Sequence, residues 1–176
     1  MPDRPVTGDE LLSALRRLGE ILYRRGVTAD LYVFGGAAMV LAYQARVATR
    51  DIDAVFVPDT EVLDAAREVA RERGWPRTWL NDQASAYVSA LPDQDRRLVL
   101  EAPGIRCMAA SPERLLAMKV LAARRAQDAG DIRFLANLLG LTGVEQVLAI
   151  VAGVFPDLEV NERARLLVED VLAEGR

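Results

Sequence analysis

Between Asp9 and Arg25 the apolar residues Leu11, Leu12, Leu15, Leu18, Ile21 and Leu22 return every three or four positions, and Gly26 follows. That spacing lays one apolar stripe along an amphipathic helix, with the glycine as its stop. Leu31 to Phe34 is a short apolar run rich in β-forming residues. It is closed by Gly35-Gly36, after which Ala37 to Ala45 runs without proline or glycine. The stretch reads as strand, glycine turn, helix. A further strand is predicted over Asp51 to Val57, where Ile52, Val55, Phe56 and Val57 are β-branched or aromatic and Pro58 sets the boundary. Asp59 or Thr60 then caps a helix reaching about Arg73.

Gly74 to Asp82 holds both tryptophans and a proline and reads as a loop, followed by a short helix over about Asp82 to Ala90. Leu98 to Glu101 and Ile105 to Ala109 form two strands joined through Ala102, Pro103 and Gly104. From Ser111 onward the pattern is helical. Ser111 with Pro112 is an N-cap followed by proline at the first helical position, and that helix continues to Arg125. Asp128 is read as the cap of another helix, running through Leu139 to Gly140. Two more are predicted over Val144 to Val154 and Asn161 to Ala173, divided by Pro156. No internal repeat or low-complexity segment interrupts the order. The expected fold is α/β, more narrowly α+β: a small mixed sheet flanked by helices over residues 1–110, and a helical subdomain over 111–176 packed on that core.

Composition narrows the chemistry. The 176 residues are half hydrophobic and about a quarter charged, as in an ordinary globular protein. No apolar run approaches the roughly 20 residues that span a bilayer, and Met1 to Glu10 lacks a leader pattern, so the expectation is a cytoplasmic protein with no membrane partner. There is no histidine, and Cys107 is the only cysteine. An internal disulfide, Cys/His zinc sets and every histidine-based catalytic arrangement are thereby excluded. Carboxylate, lysine, tyrosine and metal-assisted mechanisms remain. The net charge of −4 disfavours general coating of nucleic acid, leaving only local basic patches such as Arg16, Arg17, Arg24 and Arg25 on the first helix.

Two acids stand out against that background. In a strand, side chains two residues apart share a face, so Asp51 and Asp53 project together while Ile52 turns inward. Their Cα atoms then lie roughly 7 Å apart, close enough for both carboxylates to meet one hard cation. Mg²⁺ (or Mn²⁺) suits the pair, since it takes few protein carboxylates and completes its octahedron with water and phosphate oxygens. An acidic pair alone fits equally a solvated strand edge, and Gly35-Gly36 alone fits a tight turn. Their spacing joins them: a phosphate can approach a glycine turn closely where a helix begins. Thr49 and Arg50 adjoin the acids and are candidate phosphate contacts.

Two charges fall on apolar helix faces. At 100° per residue Lys119 projects between Leu115 and Leu116, and Asp131 projects between Leu135 and Leu138 with Asp128 on the same side. Glu113, Arg114 and Arg124 point elsewhere. An inward lysine is costly unless paired. Lys119 and Asp131 therefore fit either a structural bridge to each other or places in a functional site, and Asp131 also fits the favourable end of a helix dipole.

The stretch LYVFGGAAMVLAYQARVATRDIDAVF resembles the signature of polymerase-beta-type nucleotidyltransferases: glycine pair, helix, then an acid-hydrophobic-acid strand. More narrowly it is similar to AbiEii-type toxin nucleotidyltransferases and their bacterial relatives, whose later motifs are a helical lysine and a helical aspartate. The likeness extends more weakly through WLND at Trp79 to Asp82 and through SPERLLAMKVLAARRAQDAGDIRFLANLLG. It implies Asp51 and Asp53 as metal ligands, Gly35 and Gly36 at the nucleotide, Lys119 neutralising triphosphate charge and Asp131 orienting Lys119 or placing the nucleotide. It also implies transfer of a nucleoside monophosphate from a nucleoside triphosphate to a tRNA end or a protein hydroxyl, and a cognate antitoxin. Many members of the wider superfamily supply a third acid from a later strand, for which Glu101 is the candidate here. Two other readings are a nucleotidyltransferase acting on small molecules of antibiotic type and a catalytically silent interaction module of the same fold.

Overall fold

The computed structural model describes residues 4–174, apart from the side chains of residues 125 and 126. The first three residues of the stretch read for a leader pattern thus lie outside the described residues. The chain divides into two compact units. One is Met1–Ala86 with Arg96–Ala110, and the other is Tyr87–Asp95 with Ser111–Arg176.

The first unit starts with β1 (Val6–Thr7) and α1 (Gly8–Arg24). Thr7 accepts a hydrogen bond from the Glu10 amide, and the Glu10 carboxylate accepts one from the Thr7 amide at 2.9 Å. This reciprocal capping fixes the helix start one residue before the position expected from the apolar stripe. Leu11, Leu15, Leu18, Ile21 and Leu22 are buried, as the three-and-four spacing requires. There follow β2 (Ala29–Phe34), α2 (Gly35–Leu41), β3 (Ala48–Thr49), β4 (Ile52–Val57), α3 (Asp59–Arg73), β5 (Leu80–Asn81), β6 (Arg97–Ala102) and β7 (Ile105–Ala109). The main sheet has the order β5-β4-β2-β7-β6 and is mixed: β2 pairs antiparallel with β4 and parallel with β7. A separate two-stranded ladder joins β1 to β3.

One face of the sheet is apolar. Ile52, Ala54 and Phe56 of β4 alternate inward with Leu31 and Val33 of β2 and Ile105, Cys107 and Ala109 of β7, and all are buried. Helix α1 lies along β6 and β7, and α3 along β4 and β5. The approach of α1 to the β6–β7 turn is so close that no side chain fits. A Cβ on Gly19 would fall 2.4 Å from Ile105 Cγ2, and one on Gly104 would fall 2.2 Å from the Gly19 carbonyl oxygen.

The second unit is built from α4 (Pro112–Ala122), α5 (Arg125–Leu138), α6 (Val144–Val154) and α7 (Glu162–Ala173), with α4 packed against the other three. Ser111 accepts from the Arg114 amide at 3.2 Å with Pro112 at the first position, and Asn161 accepts from the Ala164 amide at 2.9 Å. The architecture is a mixed α/β fold of the expected α+β kind, with a small mixed sheet and a helical C-terminal region. Among the described residues no helix is long and apolar enough to cross a membrane.

Several elements depart from the sequence pattern. Helix α2 ends at Leu41, not Ala45, because Gln44 takes a left-handed conformation and Tyr43 turns inward to donate its hydroxyl to the Ala110 carbonyl at 2.7 Å. Helix α3 begins at Asp59 after Pro58, with no side-chain cap; the Asp59 carboxylate instead accepts from its neighbour, the Thr60 amide, at 2.7 Å. The helix expected over Asp82 to Ala90 reduces to a 3₁₀ turn at Ser85–Tyr87. There Asn81 captures the Gln83 amide and Ser89 captures the Leu91 amide, so local side-chain bonds displace the helical ladder. Helix α4 stops at Ala122 since Ala123 is left-handed. Asp128 is not a cap: it sits one turn inside α5 and reaches back to the Arg124 amide at 3.3 Å.

The Gly19–Gly104 contact yields a stability prediction. Gly104→Ala must place a Cβ at φ +83° against the α1 backbone. It is expected to cost about 3 kcal/mol, lowering Tm by roughly 6 to 12 °C in a thermal melt, whereas Gly74→Ala, with open space around it, costs only the left-handed penalty of about 1 kcal/mol.

Candidate functional site

Strand β4 carries the acidic pair at its start. Asp53 is its second residue, across from Phe34 of β2 and Asn81 of β5, while Asp51 immediately precedes the strand. Ile52 between them is fully buried, and both aspartates are half-buried. The alternation is the one a pleated strand imposes, with Asp51 and Asp53 on the side opposite the apolar face.

Because β4 runs antiparallel to β2, the start of β4 lies at the end of β2, where Gly35 and Gly36 open α2. Gly35 is left-handed at φ +61°, and a Cβ built on it would stand 3.5 Å from Asp53 Oδ2. A Cβ on Gly36 would stand 2.9 Å from Thr49 Oγ1 and 3.4 Å from Arg46 Nη1. The glycine pair is thus flanked by a carboxylate on one side and by a hydroxyl and a guanidinium on the other. The β1–β3 ladder holds the hydroxyl of this second flank in place, with Val6 opposite Thr49 and Thr7 opposite Ala48. Helix α2 has seven residues, too few for its dipole to define an anion site, so the features of the place are close backbone approach and flanking charge.

Three effects act on the Asp51 carboxyl. Burial pushes its carboxyl above the usual aspartate value, while a hydrogen bond from Asn81 and the charge of Arg50 oppose that shift. Asn81 is buried, whereas Arg50 is exposed. Neither Arg46 nor the role of Asn81 was legible in the sequence. Arg46 belongs to no periodic pattern, and its only signal is a cation lying between the glycine pair and the acid pair. Trp79 proves to be a core residue. It is 2% exposed and donates its indole N–H to the Ala66 carbonyl at 2.9 Å.

Glu101 does not join the acids. It lies opposite Arg106, whose rung continues through Asp30 to Val57, four residues along β4 from Asp53 or about 13 Å of strand rise, and three strands across. Among the described residues no group of three or more His, Cys, Asp or Glu side chains is placed to share a metal. The candidate donor set is therefore two carboxylates. Two hard oxygen donors beside a side-chain-free backbone fit Mg²⁺ or Mn²⁺, which retain water and phosphate oxygens as further ligands.

The second unit gathers the other charges. Lys119 Nζ stands 2.8 Å from Asp131 Oδ2 and 3.0 Å from Asp128 Oδ1, and all three residues are buried. Arg124 adds a bond from Nε to Asp128 Oδ2 at 3.1 Å. The inward projection of Lys119 and Asp131 thus brings them together, and Asp128 is a full member of the cluster. Arg114 is also buried, contrary to its expected outward direction. It donates to the carbonyls of Ser89 at 2.9 Å and Leu91 at 2.7 Å, so the turns of the 87–95 segment supply its acceptors. On α1, Arg17 is tied to Glu72 and Glu20 and Arg25 to Glu68, so two of the four arginines read as a basic patch are neutralised by neighbours.

A family model described as "Nucleotidyltransferase of unknown function (DUF6036)" matches residues 9–169. That span covers both units, and the chain belongs to this family of nucleotidyltransferases. No curated protein and no solved structure matches the chain.

Two outcomes follow from the buried charges. A folded-state pKa raised above the unfolded value means that ionised Asp51 costs stability once pH exceeds that raised value, and the cost is absent below the unfolded pKa near the ordinary 3.8. Asp51→Asn is therefore expected to raise Tm at pH 7 and to leave it unchanged near pH 3; an equal shift at both would refute the assignment. Lys119→Met removes the ammonium from between two buried carboxylates. It is expected to cost about 3 to 5 kcal/mol in urea unfolding, and Lys119→Met with Asp131→Leu should recover part of that loss.

Proposed function

We propose that the protein transfers a nucleoside monophosphate from a nucleoside triphosphate to an acceptor hydroxyl. The observation that carries this reading is the glycine pair lying directly against Asp53 on one side and against Thr49 and Arg46 on the other. A triphosphate needs close access to backbone, a place for its companion cation and fixed positive charge. Each is provided within that short stretch of chain.

The roles divide as follows. Gly35 and Gly36 leave room for phosphate oxygens against the main chain. Thr49 offers a hydroxyl donor, and Arg46 and Arg50 offer charge to the triphosphate. Asp51 and Asp53 would hold Mg²⁺ or Mn²⁺, which when bound neutralises phosphate charge and acidifies a nearby hydroxyl. The acceptor oxygen attacks the α-phosphorus, the bond from that phosphorus to its bridging oxygen breaks, and pyrophosphate leaves with the electron pair. With no histidine in the chain, loss of the acceptor proton would be assisted by a carboxylate at the site or by the cation that Asp51 and Asp53 would hold.

The acceptor favoured by the resemblance is the 3′ end of an RNA, tRNA above all, in a toxin-like role with a cognate antitoxin. A protein hydroxyl is the alternative acceptor. Small-molecule modification and a silent interaction module stand as competing readings.

Incubation with Mg²⁺ and each labelled triphosphate in turn, with and without total RNA, separates these readings. Label in tRNA is the expected result. Label in protein or only in small compounds moves the acceptor accordingly, and absence of cation-dependent nucleotide binding sinks the enzymatic reading. Asp53→Ala is expected to lower transfer by a factor of about 10³ or more with an unchanged circular dichroism spectrum.

A further inference from the structure

Asp53 shares its side of the sheet with a row of large apolar side chains. Val55, two residues further along β4, pairs with Tyr32 of β2; Tyr32 pairs in turn with Met108 of β7, and Met108 with Leu98 of β6. The pleat sets all four on the face of Asp53, opposite the buried face of Leu31, Ala54 and Cys107. The row crosses four strands, about 14 Å at three interstrand spacings, and starts one rung, about 7 Å, from Asp53. Val55 is 36% and Leu98 56% exposed, and Tyr32 and Met108 are half-buried. An exposed apolar strip rimmed by charge marks a surface for a ligand or partner. Here the rim is Asp53 on one side and, on the other, the next rung of Asp30, Arg106 and Glu101.

The direction of transfer selects the ligand. In phosphoryl transfer the attacking and leaving oxygens stand roughly in line through phosphorus. The groups assigned to the triphosphate, Gly36, Thr49 and Arg46, lie past the end of the sheet, where β2 has passed into α2 and β4 has not yet begun. Pyrophosphate therefore departs toward that end. The acceptor approaches from the opposite side, over the body of the sheet, and the first side chains it meets on the face of Asp53 are Val55 and Tyr32. Whatever carries the reacting hydroxyl rests on the apolar row.

A nucleobase suits that row. The Tyr32 ring, tilted 41° to Phe34 at a centroid distance of 6.4 Å, supplies an aromatic surface, and unpaired bases at RNA ends stack on such rings. Val55, Met108 and Leu98 add apolar contact. A polyhydroxylated or cationic small molecule would leave its polar groups without strong partners against those three side chains.

We infer that the Val55–Tyr32–Met108–Leu98 row is the acceptor subsite and that it takes the 3′-terminal nucleoside of a single-stranded RNA end, its base stacked on Tyr32. This rests on the nucleotidyl-transfer reading of the acidic pair and selects an acceptor that carries a base.

The test reads binding, not turnover. A short single-stranded RNA with an internal fluorophore and a free 3′ hydroxyl is titrated with the full chain and followed by anisotropy, and triphosphate binding with Mn²⁺ is followed separately by calorimetry. Tyr32→Leu keeps apolar bulk and removes the ring; it is expected to weaken RNA binding by about 10-fold or more while triphosphate affinity stays native. Tyr32→Phe retains the ring and should retain RNA affinity. A circular RNA of the same sequence and label, having no end, should bind more weakly than the linear one. Val55→Ser replaces Tyr32→Leu if the leucine variant does not fold, and is then expected to weaken RNA binding severalfold. If neither folds, the row belongs to the fold alone and the inference falls. Native RNA affinity in the variant tested, an equal loss in Tyr32→Phe, or equal binding of the circle overturns the subsite while leaving the acidic pair standing. Loss of triphosphate affinity in Tyr32→Leu does the same, because it gives the ring to the incoming nucleotide. Dissociation of a wild-type oligomer by Tyr32→Leu in sedimentation also overturns it, making the row a contact between copies, and absence of RNA binding by the wild-type chain returns the acceptor to a protein or small molecule. Failure of the wild-type chain to bind triphosphate with Mn²⁺ overturns the transfer reading and this inference with it.

Discussion

Where Phe34 passes into α2 the chain turns through a left-handed residue and then passes close under the Thr49 hydroxyl, and the organisation of the first unit follows from that restriction. A Cβ on Gly36 would crowd the Thr49 hydroxyl, and a residue at ease with φ +61° turns the chain beside Asp53. Once the turn is that tight, the antiparallel pairing of β2 with β4 sets the acids at the same end of the sheet. The small β1–β3 ladder then has a purpose out of proportion to its four residues, since it carries the Thr49 hydroxyl.

The two units treat buried charge differently. At the acidic pair, charge is kept near the surface, half-buried. In the helical unit, Lys119 is enclosed by Asp128 and Asp131, and Arg114 is satisfied largely by main-chain carbonyls. The second arrangement tolerates burial because the Lys119 ammonium meets two carboxylates and the Arg114 Nη atoms meet two carbonyls at hydrogen-bond distance, with Asp93 at 3.7 Å from Arg114 Nε, and it locks α4 to α5 and to the 87–95 segment. The first leaves carboxylate oxygens accessible to a ligand at a cost in stability.

Much of the fold was legible because long elements write their environment into their spacing. The α1 stripe, the Ser111-Pro112 helix start, the Val144–Val154 helix and the alternation around Ile52 each repeat a local rule several times. What escaped was set by partners distant in sequence. Two-residue strands such as Val6–Thr7 and Leu80–Asn81 have no period to detect, and they exist because a ladder partner completes them. Asp128 looked like a cap because aspartate before an apolar run commonly is one, yet a buried ammonium nine residues upstream made a stronger claim on it. Glu101 failed as a third acid for the same reason: strand order, invisible in the linear pattern, sends it to the opposite end of the sheet.

The chain crosses from one unit to the other three times, after Ala86, after Asp95 and after Ala110. Neither unit is a continuous stretch of sequence, so a gene cut at residue 110 does not separate two modules. The upstream fragment would keep Ser89 and Leu91 but forfeit the guanidinium of Arg114 that binds their carbonyls, and the downstream fragment would inherit that buried cation without its acceptors. Interleaving of this kind obliges both parts to be inherited and synthesised as a single polypeptide, with shuffling of either half against a foreign partner closed off by connectivity alone.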